Sequence, residues 1–258
     1  MAEKTLPIKP QVEQEEEFEG EGPELTILEH LDELRRRLIA IAISMVIATA
    51  VGLVVAPRIF QLLISRGPED FTPVFIEMTE MFVTYFKVSV FIGAGIAMPV
   101  IVYQVVRFVA PGLTRKERRL LLSMLPLVTV FFVAGVLFGY FITLPFAIKY
   151  LLSFSTVVGL NIAPQIRIEN YISFVTTVLF WMGISFQTPL IVFLLVQLGV
   201  VSRQRLQSYR KFAILIAFVA AAIVTPTPDP LNQSLVAIPL IVLYELGIQL
   251  SRFARHSD

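Results

Sequence analysis

The chain has 258 residues, of which 56% are hydrophobic and 16% charged, with a mean hydropathy of +0.76 and a net charge of +1. A water-soluble domain carries roughly 25% charged residues, so the composition argues against one and points to a single polytopic membrane domain. The absence of cysteine excludes disulfides, thiolate metal sites and cysteine nucleophiles.

Residues 1–24 hold eight glutamates, two lysines and three prolines among few apolar side chains. Such a stretch buries too little surface to offset chain entropy, which predicts a disordered acidic tail. No short apolar segment precedes a small-residue cleavage site, so no cleavable signal peptide is expected. Thr26-Ile27-Leu28-Glu29 fits a capping box. A helix is expected to start there, run through His30-Leu31-Asp32-Glu33-Leu34-Arg35-Arg36-Arg37 and continue into a first span over about 38–55, closed by Pro57.

An extramembrane loop over 58–80 follows, then a second span over about 82–108 with Pro99 as a kink, ended by Ala110-Pro111-Gly112. Thr114-Arg115-Lys116-Glu117 is a second capping-box match that opens a third span, about 120–144. Within it, Gly135 and Gly139 permit close helix approach. A loop over 149–167 leads to a long fourth helix, about 170–200, with Pro189 inside. After a basic connection at 202–211 come a fifth span, 212–224, a proline-rich turn at 225–230, and a sixth span over about 231–250 containing Pro239.

The expected fold is therefore an all-α membrane protein of six transmembrane helices, several of them proline-kinked. Its domain occupies 25–253, and 254–258 form a short tail. Six spans put both termini on one side. Fourteen arginines and lysines flank the spans on that side, from Arg35, Arg36 and Arg37 to Arg252 and Arg255. Only Arg58, Arg66, Lys87, Lys149 and Arg167 lie on the other. The positive-inside rule then makes both termini cytoplasmic. The fifth span is short: its thirteen residues cover roughly 20 Å, against about 30 Å of hydrocarbon. The turn after it carries Thr225, Thr227, Asp229 and Asn232, so this hairpin is expected to dip less deeply and to thin the local bilayer.

Catalysis is not expected. The two histidines, His30 and His256, sit near opposite ends of the chain. No metal-ligand cluster falls inside a span, and no glycine-rich phosphate loop precedes a basic residue. No cofactor or nucleic-acid partner is expected. Ionisable or strongly polar groups within spans mark functional candidates, and here they are Gln187 and Glu245. Glu245 either occupies a headgroup-level cavity or pairs with an arginine such as Arg252. The Gln187 amide either satisfies the carbonyl freed by Pro189 or serves a partner. Glu33 and Glu117 lie at one membrane face among arginines. Glu33 either pairs with Arg37 at i,i+4 or receives a ligand guanidinium, and Glu117 either serves only its cap or does the same.

Four blocks in order give the chain a specific resemblance to TatC, the multi-spanning core subunit of the twin-arginine protein translocase. They are His30 to Arg37; Pro99 with Tyr103-Gln104 and Phe108 to Leu113, ending at Glu117; Phe186-Gln187 with Pro189; and Pro228-Asp229 with Ile238-Pro239 and Glu245-Leu246-Gly247. The resemblance covers about 25–253. It implies recognition of folded precursors through a twin-arginine signal peptide. Glu33 and Glu117 would receive the two signal arginines, and Arg35, Phe108 and Pro111 would shape the surface. It also implies single-span TatA- and TatB-type partners along the spans, contacting Gln187 and Glu245, a structural or functional turn at Asp229, and drive from the proton-motive force. The implied location is a bacterial or archaeal cytoplasmic membrane, or a thylakoid membrane. Two positions depart from the family pattern. Gln187 stands where glutamate is commonest and cannot titrate, and Val106-Arg107 replaces a usual tryptophan. The residues alone also leave open a secondary transporter of a small solute or ion, or a membrane scaffold.

Overall fold

The computed structural model describes residues 27–67, 73–109, 115–157, 165–225 and 229–253. The acidic stretch 1–24, the expected caps at Thr26 and Thr114, the Ala110-Pro111-Gly112 turn, Pro226 to Pro228 and the last five residues lie outside these.

Helix α1 (Ile27–Ile64) runs straight through Pro57, where the sequence places the end of the first span. Proline removes one N–H and so strands the carbonyl four residues earlier. That carbonyl, on Leu53, accepts the Tyr85 hydroxyl at 2.6 Å. A stranded carbonyl in lipid stops a helix only when nothing else can reach it. Helix α2 (Glu80–Val109) supplies the tyrosine and packs antiparallel along α1. Small residues let the two backbones approach, since a Cβ on Gly93 would lie 2.7 Å from the Thr49 Cα.

After α3 (Arg115–Ser123) the chain bends at Met124 into α4 (Leu125–Phe138), a π-turn over Gly139–Thr143, and α5 (Leu144–Val157). The helix therefore passes the expected end at Leu144 and carries Lys149 inside it rather than in a loop. The wider π-turn absorbs Pro145, whose ring would clash with the preceding turn of a regular α-helix. Gly135 brings α4 against the next span: a Cβ there would lie 2.9 Å from the Gly183 Cα.

The expected long fourth helix is two, α6 (Ile168–Ser185) and α7 (Thr188–Gln197). Pro189 cannot donate, and the chain tightens instead through Gln187 N–H to the Ile184 carbonyl at 2.9 Å. Gly199, with φ of 69°, ends that span. The basic connection contains a short helix, α8 (Arg203–Ser208), capped by the Ser202 hydroxyl. Then come α9 (Arg210–Val224) and α10 (Pro230–Leu250), with a 3₁₀ turn over Ser251–Phe253.

Among the described residues, five helical stretches are long and apolar enough to cross a membrane: Glu29–Ile64, Glu80–Phe108, Leu125–Ser153, Ile168–Gln197 and Pro230–Phe253. Helix α9, at the position expected for the fifth span, has only 15 residues. Leu63, Val88, Leu144, Ile172, Val175, Ala221 and Ala237 form the main core, and Val192, Val196, Leu206 and Ile248 a smaller one. Val46, Val54, Phe82, Ile216 and Ile223 point outward and are exposed. Large apolar side chains facing outward along whole helices suit contact with hydrocarbon rather than water.

Candidate functional site

The first turns of α1 meet the last turns of α2. Glu33 accepts Arg37 at 2.7 Å, with both side chains about one-fifth exposed. The other arm of Arg37 donates to the Gln104 amide oxygen on α2 at 3.2 Å. One turn earlier, the His30 ring stacks on Phe108 with centroids 4.4 Å apart. Asp32 holds Arg36 at 3.1 Å on the exposed side. These contacts join the first two sequence blocks into one charged face, with a shallow cavity bounded by Glu29, Asp32, Glu33, Arg36 and Arg37. Arg35 is exposed beside it and makes no ion pair among the described residues. Glu117 lies in α3, but its side chain, like Pro111, is outside the described residues.

The other candidates lie elsewhere. Gln187 is buried at the α6–α7 break, and its amide donates to the Val128 carbonyl on α4 at 2.9 Å. It therefore crosses to another helix and does not serve the carbonyl freed by Pro189. Glu245 pairs in a two-pronged contact with Arg210, at 2.6 and 3.0 Å, and not with Arg252. Arg210 opens α9, so this pair ties the start of α9 to the end of α10. Asp229 caps α10 by accepting the Asn232 N–H at 2.7 Å, and the Tyr150 hydroxyl is a further partner.

A cluster at the opposite end of the bundle escaped the sequence reading. Glu80, 2% exposed, accepts N–H groups from Ile76 at 2.9 Å and Glu169 at 3.2 Å, and the Arg167 guanidinium at 3.2 Å. Lys87 holds Glu169 at 2.7 Å. The hydrogen bond and charge of Glu80 raise the Arg167 pKa above its ordinary value, so Arg167 stays cationic. Beside it, Val74 and Arg167 form an isolated β-bridge. The carboxylate thus staples the segment before α2 to the segment before α6. An acid at one span start and an Arg-x-Glu at another were the available signals, though nothing local links them.

The family model for "Sec-independent protein translocase protein (TatC)" matches residues 29–239. The chain is 36% identical to the Sec-independent protein translocase protein TatC of Carboxydothermus hydrogenoformans, over 92% of this chain and 97% of that one. It is 37% identical to the protein of the same name from Aquifex aeolicus, over 89% and 96% respectively. The fold matches the crystal structure of a twin arginine translocase receptor, TatC, with a TM-score of 0.77 and 37% identity, over 88% of this chain and 99% of that one. The same receptor in DDM gives a TM-score of 0.78. The chain therefore belongs to the TatC family of Sec-independent protein translocase proteins.

Proposed function

We propose that this chain is the core receptor subunit of a twin-arginine translocase, binding the twin-arginine signal peptides of folded precursors at the cytoplasmic face. The observation that carries the reading is the junction of α1 and α2, where Glu33, Arg37 and Gln104 interlock and His30 stacks on Phe108. A half-buried carboxylate already holding a guanidinium has the geometry that an incoming arginine requires. Charge-assisted, two-pronged contacts favour arginine over lysine at such a site. Glu117, in α3, is the second carboxylate of this reading, and Arg35, Phe108 and Pro111 shape the recognition surface.

In this reading α9 is the fifth of six crossings, both termini are cytoplasmic, and the membrane is a bacterial or archaeal cytoplasmic membrane or a thylakoid. Single-span TatA- and TatB-type subunits pack along the spans near Gln187 and Glu245, and the proton-motive force drives transport in a multimeric complex. Gln187 contributes a hydrogen-bonding amide and no titrating proton. Membership in a family of protein translocases sets aside the small-solute transporter.

Crosslinking of the purified chain to a peptide with paired arginines before an apolar stretch tests the reading. Crosslinking is expected to vanish when the pair becomes Lys-Lys, and with Glu33→Ala or Glu117→Ala. Glu117→Gln is expected to leave folding intact and weaken the contact. Equal crosslinking of Arg-Arg and Lys-Lys peptides overturns it.

A further inference from the structure

Between α2, α4 and α6 runs a cavity of about 450 Å³, walled by Leu63, Val88, Ile92, Val133, Leu137 and Leu179 among others. The hydroxyl of Thr176 on this wall is already spent on the Ile172 carbonyl at 2.7 Å, so the wall offers a ligand almost no polar contact. Ile96, Val133 and Leu137 line the cavity and are also exposed on the outer surface, at 45–49%. The groove therefore opens sideways, toward the medium that the outward-facing apolar belt contacts. Water there would find few partners, and an empty groove forfeits dispersion contacts along its whole wall.

A charge stands just beyond the groove's lining residues. One turn beyond Leu63 on α1 stands Arg66, and one turn beyond Leu137 stand Tyr140 and Phe141. The Arg66 guanidinium lies over the Tyr140 ring at 4.5 Å and the Phe141 ring at 5.0 Å. Tyr140 is itself fixed by its hydroxyl bond to the Leu62 carbonyl at 3.2 Å. Arg66 has no carboxylate partner among the described residues. A half-buried guanidinium clamped on two rings just beyond an apolar groove presents a planar fork, which suits a phosphate.

We propose that the groove and Arg66 together bind one glycerophospholipid, with an acyl chain along Val133 and Leu137 and the headgroup phosphate on Arg66. A free phosphate would leave the groove unfilled, and a partner's apolar helix would offer the guanidinium no anion. The complementarity favours a lipid over either. The site is separate from the α1–α2 junction and does not depend on the receptor reading.

The test is native mass spectrometry of the full chain in detergent, titrated with phosphatidylglycerol. It is paired with a benzophenone photocrosslinker in place of Val133 in intact membranes. The wild type is expected to retain one phosphatidylglycerol. Arg66→Gln should lower the retained fraction at least fivefold, and Arg66→Lys should lower it less. Val133→Trp, on an exposed position that leaves the core intact, should lower it while Arg66 is still present. The lipid adduct at position 133 should fall with Arg66→Gln, whereas an adduct at the outward-facing Val46 should not. Retention unchanged by both Arg66→Gln and Val133→Trp overturns the proposal, as does a polypeptide as the main adduct at position 133.

Discussion

The Tyr85 hydroxyl donates to the Leu53 carbonyl at 2.6 Å, and Leu53 is the residue whose carbonyl Pro57 leaves without an N–H. One side chain on α2 thereby keeps α1 continuous for seven residues beyond its proline, and those residues include Phe60 and Leu63 of the main core. Tyr85→Phe removes the donor and little else. A lost hydrogen bond of this kind costs about 0.5–1.5 kcal/mol. Hydrogen exchange is expected to accelerate over 54–64 while 38–50 stays protected, and uniform exchange along α1 would contradict the rescue.

The Glu80 cluster makes a second prediction. Glu80→Ala leaves the N–H groups of Ile76 and Glu169 without their acceptor and Arg167 with only the longer Glu77 contact at 3.7 Å, whereas Glu80→Gln keeps an acceptor oxygen. Limited proteolysis is expected to open both 73–79 and 165–169 in the alanine variant, with the glutamine variant intermediate. Because one carboxylate ties the two segments, they should become sensitive together. Cleavage confined to one of them would show that the staple does not couple them.

Arg37 occupies the carboxylate assigned to the signal peptide, so it competes with any incoming arginine. An i,i+4 pair at a half-buried site is worth about 0.5–1 kcal/mol. Arg37→Gln removes that competitor. The concentration of Arg-Arg peptide giving half-maximal crosslinking is expected to fall about two- to fivefold. A rise of similar size would instead mean that Arg37 orients Glu33 for the ligand.

Helix α9 gives a fourth prediction. Its 15 residues rise roughly 22 Å, short of the ~30 Å hydrocarbon thickness. Asp229, at the turn into α10, caps that helix and so must stay close to water or headgroups. A spin label at position 229 is expected to lie deeper than the other turns at that end, over a locally thinned bilayer. A label at the ordinary headgroup level with normal bilayer thickness would refute this.

Much of the architecture was legible from residue order alone. Apolar runs located the spans, and the four blocks around Glu33, Phe108, Gln187 and Glu245 pointed to the family. The i,i+4 pairing of Glu33 with Arg37 was one of the two roles that spacing left open. Helix ends are less legible, because Pro57 looks like a stop when judged only by its own missing N–H.

The sequence by itself determined the lipid-facing composition, the positions of the apolar stretches and the charged start of α1. These depend on sums over neighbouring residues, and hydropathy is such a sum. Only the tertiary structure decided that Tyr85 rescues Leu53, that Glu80 meets Arg167, that Gln187 reaches Val128 and that Glu245 takes Arg210 rather than Arg252. The partners in these contacts stand 32 to 87 positions apart in the chain. A buried donor or carboxylate takes whichever partner the packed helices bring within about 3 Å, and that choice is made by packing.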